Sequence, residues 1–185
     1  MDKHKLILSR PFNLEDIRFK PEVFSKKGDK VLVSVHGTIR TYYDRLNWTR
    51  DKWEDEYEVY FTNDLVVVKC TVTLNGESHT SFGQEKLSDK TCVLNAQAQA
   101  FKRACVPHGP GRYLYNFSNI WADWDKEEKG FENKKVLYDK LKTDEYFLWN
   151  YAERHNLLDE CAEALLNGHS YIDSGKILKT LVNGS

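Results

Sequence analysis

The stretch Asn95-Ala96-Gln97-Ala98-Gln99-Ala100-Phe101-Lys102-Arg103-Ala104-Cys105 decides how the fold is read. It runs directly into Val106-Pro107-His108-Gly109-Pro110-Gly111-Arg112-Tyr113-Leu114-Tyr115. Ala, Gln, Lys and Arg are strong helix formers, so the first segment is a helix. Alanines at 96, 98, 100 and 104 keep most of its faces small. Such a helix can lie close against a sheet or another helix. Pro107 stops it, and Gly109 and Gly111 are free to take positive φ, so a tight turn follows. Lys102 and Arg103 fall in the last helical turn, where cations complement the helix dipole. On spacing alone, that is the simplest account of the pair.

Working upstream, Leu65 to Leu74 is the clearest strand in the chain. Val66, Val68, Cys70, Val72 and Leu74 face one way; Val67, Lys69, Thr71 and Thr73 face the other. Asn75-Gly76 is a strong hairpin signal, and Glu77 to Phe82 returns antiparallel. Gly83 is expected to end that strand, leaving Gln84 to Lys90 as a polar loop and Ser88 or Thr91 to cap the helix. Trp53 to Phe61 alternates as another strand, and Asn63-Asp64 marks a turn. Ile39, Tyr42, Tyr43 and Leu46 recur at helical spacing, with Arg40 at the edge of that stripe. Val31 to Val35 is a short β-rich run.

At the N-terminal end, Pro11 and Pro21 punctuate residues 3–30. Residues 1–30 hold eight Lys/Arg against five Asp/Glu, which reads as a solvated arm. Downstream, Lys126-Glu127-Glu128-Lys129 reads as a solvated turn. Residues 132–142 suggest one helix, and 144–183 two more. The expected fold is α+β: a three-stranded antiparallel β-meander packed on a long helix (a β-β-β-α core), with extra C-terminal helices. The expected division is a core at 1–125 and a helical extension at 126–185.

Composition narrows the function classes. The formal net charge of −1 over 185 residues leaves no global basic field, so any polyanion site is a local patch. Cysteines at 70, 92, 105 and 161 form no C-x-x-C pair and read as buried free thiols rather than zinc ligands or disulfides. The N-terminal apolar run is too short for a signal peptide, and no stretch approaches a membrane span, which points to a cytoplasmic protein. There is no phosphate-binding G-x-x-x-x-G-K-[ST] loop, no H-x-x-x-H pair and no G-x-S-x-G elbow, so neither cofactor nor metal is expected. Glu54-Asp55-Glu56 and the pair Asp123 and Asp125 are carboxylates of the kind a nuclease uses to hold magnesium. Neighbouring strand residues face opposite ways, so the first group reads as a solvated edge.

The segments Val66 to Gly83 and Ala96 to Tyr115 together resemble the Rad-fifty-two-type single-strand annealing proteins. The likeness is to their bacterial and phage branch, with the DNA-damage-response protein A group and phage annealing recombinases. The family pattern A-x-K-R-A-x-x-x-F-G-x-G-R-Y-L-Y is matched by Lys102-Arg103-Ala104 and by Gly109-Pro110-Gly111-Arg112-Tyr113-Leu114-Tyr115. Arg40 to Asn47 is similar to the family's R-x-V-x-x-R-L-N helix. Pro11-Phe12 and Lys20-Pro21 are similar to its N-terminal P-F … W-K-P. His108 stands where the family has Phe, and Gly83-Gln84-Glu85 replaces the usual G-x-G. The resemblance covers about residues 6–125.

It implies an ATP-independent protein of DNA recombination and repair. Such a protein assembles into a ring, arc or filament, binds single-stranded DNA in a basic groove and anneals complementary strands. The carried-over groove residues are Lys102, Arg103 and Arg40, with Arg112 as a further cation. Implied partners are single-stranded DNA, further copies of the chain and a host single-strand-binding protein, in a bacterial or phage-infected cell. Phosphate contacts leave base edges free to pair, which annealing requires. The alternatives are end protection without annealing and a metal-dependent nuclease.

Overall fold

The computed structural model describes residues 2–49 and 51–184. The elements run α1 (Lys3–Leu8), β1 (Ile17–Phe24), β2 (Lys30–Gly37), α2 (Ile39–Trp48), β3 (Trp53–Phe61), β4 (Leu65–Leu74), β5 (Glu77–Lys86) and α3 (Cys92–Cys105). They continue with β6 (Ile120–Asp125), β7 (Gly130–Phe131), α4 (Lys134–Leu141), α5 (Asp144–Arg154), α6 (Leu158–Leu166) and α7 (Tyr171–Asn183). Two compact units divide them: Thr38–Arg112, and Met1–Gly37 together with Tyr113–Ser185. The fold class is α+β, as the sequence predicts.

In the Thr38–Arg112 unit, β3, β4 and β5 form an antiparallel sheet in sequence order. Asn75 and Gly76, with φ of 51° and 83°, make the β4–β5 turn, a conformation Asn-Gly adopts readily. The even-numbered β4 residues Val66, Val68, Cys70, Val72 and Leu74 are buried. So is the small-residue side of α3: Ala96, Ala100 and Ala104, with Phe101 and Cys105.

Gly83 does not end β5. The ladder continues through Val68↔Gly83 to Leu65↔Lys86. The glycine serves packing: a Cβ added there would lie 2.8 Å from Ala100 N and 2.9 Å from Ala96 C, and nearer still to Ala96 O. The helix backbone therefore rests on bare strand backbone. Thr91 stands at the N-cap position of α3 but makes no side-chain cap. The Asp89 carboxylate instead accepts from Thr91 N and from Thr91 Oγ1, each at 2.8 Å.

The other unit holds a second sheet that the sequence reading lacks, in the order β1-β2-β6-β7. The expected solvated arm is ordered here: α1 buries Ile7 and Leu8, and β1 pairs along β2. Pro21 is tolerated because it sits at a register shift on an outer strand, where its missing N–H costs no regular ladder bond. Val31, Val33, Ile120 and Leu137 form this sheet's core, flanked by Phe19, Phe117, Trp124 and Phe131. The C-terminal segment holds three helices after α4 rather than two. Asn156 (φ 57°) separates α5 from α6, and Gly168 (φ 86°) separates α6 from α7. Ile7, Leu148, Trp149, Ala152, Cys161, Ala162 and Leu178 pack them with α1.

Candidate nucleic-acid interface

The four cations singled out by sequence all lie on or beside α2, α3 and the turn after α3. Phe101 fixes the rotation of α3. It is fully buried and stacks on Tyr43 of α2, ring centroids 4.3 Å apart. The next two residues turn outward: Lys102 is half-buried and Arg103 exposed. Tyr43 is itself held from β3, since its hydroxyl donates to Asp55 Oδ2 at 3.1 Å, and Tyr57 donates to the same oxygen at 2.7 Å. Burial and these bonds push the Tyr57 phenol far above its ordinary range, so both hydroxyls stay neutral and keep donating.

Arg103 Nη1 donates to the backbone oxygen of Phe82 at 2.8 Å. That oxygen belongs to β5, an outer strand of its sheet, so the guanidinium covers part of an exposed strand edge. The turn after α3 closes onto α2. Gly111 has a φ of 73°, and an added Cβ would lie 2.7 Å from Tyr42 Cζ. Arg112 follows it and is exposed, and α2, which carries Tyr42, also carries exposed Arg40 in its first turn. The fold thus brings the backbone beside Arg112 onto the helix of Arg40.

Acidic residues line the other face of this sheet. Glu54, Glu56 and Glu58 are exposed and share the face of β3 opposite to α3. Lys69 Nζ lies 2.6 Å from Glu58 Oε1. The Asp123 and Asp125 carboxylates have local roles: Asp123 lies 3.8 Å from Lys30 Nζ, and Asp125 Oδ1 accepts from the backbone of Glu127 and Glu128.

One cluster escaped the sequence reading. Glu77, His79 and His108 bring a carboxylate and two imidazoles within 4.8 Å of one another. Neither the separation of the histidines nor their order resembles a metal motif. The signal lay in the hairpin register, which sets His79 opposite Val72, whose carbonyl lies beside His108.

Compared with known proteins, the sequence is similar to relatives named for single-stranded DNA binding. The chain is 32% identical over 124 residues to the single-stranded DNA-binding protein DdrA of Deinococcus radiodurans, covering 66% of this chain and 60% of that protein. It is 32% identical over 123 residues to DdrA of Deinococcus deserti, covering 66% of this chain and 61% of that protein. The chain therefore spans about three-fifths of the length of these relatives. No family model matches the chain, and no solved structure does. Among the described residues, no helix is long and apolar enough to cross a membrane.

Proposed function

We propose that this chain binds single-stranded DNA through Lys102, Arg103, Arg40 and Arg112, and anneals complementary strands without ATP. The observation that carries the reading is the set of exposed or half-exposed cations gathered on α2, the end of α3 and its closing turn. The opposite sheet face bears glutamates. The naming of both relatives as single-stranded DNA-binding proteins supports it. Residues 1–125 form the binding and assembly core in this proposal, and 126–185 a helical extension. Assembly is part of it: β3 and β5 are outer strands of their sheet, and such edges are covered or paired. A ring, arc or filament repeats the few cations of each subunit along one DNA strand, which reconciles binding with a net charge of −1.

The test uses labelled oligonucleotides with and without a complement. Lys102→Ala with Arg103→Ala is expected to weaken single-strand binding and to lower the salt slope by up to about 1.4 log units per bound subunit. Annealing should fail in parallel. Binding and strand protection without faster pairing would favour the end-protection reading. Magnesium-dependent loss of label would favour a nuclease. Normal binding by the double variant would remove these residues from the interface.

A further inference from the structure

We propose that Glu77, His79 and His108 form a binding site for a divalent transition-metal ion of the zinc type. Glu77 and His79 are two apart on β5, so both side chains leave the same face of the strand. The β4–β5 register sets Leu74 and Val72 opposite them. His108 arrives from the turn after α3, where Pro107 and Gly109, with a φ of 124°, fold the chain back over the sheet. Hairpin and turn belong to the same compact unit.

The hydrogen bonding suits a metal. His108 is 3% exposed, and its Nε2 lies 3.0 Å from the Val72 carbonyl oxygen. A carbonyl only accepts, so Nε2 carries the proton and the lone pair is left on Nδ1. An imidazole whose second nitrogen donates to a backbone carbonyl is the usual support of a metal-bound histidine. His79 Nε2 lies 2.7 Å from Glu77 Oε1, and its ring meets the His108 ring edge-to-face at 4.6 Å. The metal would displace the proton shared by His79 and Glu77 and draw the three donors inward from their present spread, to about 2.0–2.2 Å from itself.

The donor set selects the ion. Two imidazole nitrogens and one carboxylate suit zinc or cobalt and disfavour magnesium or calcium, which take oxygen ligands. Three protein ligands leave a fourth position. Glu77, whose side chain is 59% exposed, leaves that side open to solvent. Bound metal would tie the β4–β5 hairpin to the segment that precedes Arg112.

The test titrates zinc into the purified full chain, with no DNA present, so its outcome is independent of annealing. Binding should saturate at one ion per chain. At about 100 times Kd the melting temperature should rise by about 5–10 °C. Loss of a supporting group costs about 10–100-fold in affinity, so Glu77→Gln, His79→Gln and His108→Phe should each cost at least about 100-fold. Glu77→Gln changes an exposed residue, so it separates lost affinity from lost folding. Cobalt should give a tetrahedral visible spectrum without thiolate charge transfer. No saturable binding, thiolate bands, or affinity unchanged in Glu77→Gln and His79→Gln would overturn the site.

Discussion

The two sheets are built on opposite packing principles. In β3-β4-β5 the covering helix presents alanines, and at Gly83 it rests backbone against backbone. In β1-β2-β6-β7 the aliphatic centre of Val31, Val33, Ile120 and Leu137 is enclosed by aromatic rings. At Gly83 the first arrangement fixes the distance of α3, because backbone meets backbone there with no side chain to adjust. The second can repack, because rings and rotamers can shift. The unit with the backbone contact at Gly83 carries all four proposed DNA-contacting cations.

The sharpest break of this comparison is Gly83→Val. With α3 at its present distance no side chain fits, so we expect a loss of at least about 3 kcal/mol, or failure to fold, in urea denaturation. A loss under about 1 kcal/mol would show that the helix can move away freely. Leu137→Ala in the aromatic-walled core should cost about 2–4 kcal/mol, near the lower end if the rings close the void.

Alkaline titration sharpens the contrast further. Burial raises the Cys70 thiol from 9.0 to about 11, so the fold favours the neutral form. A raised folded value leaves stability intact below pH 9.0 and erodes it as pH climbs from there through the folded value near 11. Denaturation midpoints should fall over that window, and less steeply in Cys70→Ala. An identical slope in that variant would remove Cys70 as the cause. The smallest effect is expected for Arg103→Ala: an exposed bond to the Phe82 carbonyl should contribute about 1 kcal/mol or less. A larger loss would make Arg103 chiefly a guard of the β5 edge.

The legible part of the fold was the part whose contacts are local. β3, β4 and β5 are consecutive, joined by turn sequences, and their inner face alternates with period two. α3 declared itself by propensity. The second sheet was hidden because Val33 pairs with Ile120, across the whole intervening unit. Nothing in Trp121-Ala122-Asp123-Trp124 names its partner. Gly83 was misread because a glycine in a strand signals a break as readily as a close approach. Among the site residues, Lys102 and Arg103 were visible through the resemblance. The link from Arg103 to Phe82 and the meeting of His79 with His108 depend on register and turn geometry, which no single stretch encodes.

The β2–β6 pairing also has a consequence for synthesis. Thr38–Arg112 is continuous, whereas the other unit needs both chain ends. As the chain leaves the ribosome, the inserted unit can complete its meander and α3 while β2 still waits for β6. Short-range pairings form before long-range ones because less chain must be ordered to close them. The expected order is thus the middle sheet first and the β2–β6 pairing after it. Pulse-labelled hydrogen exchange during refolding should show β4 amides protected before those of β6, and simultaneous protection would refute that order.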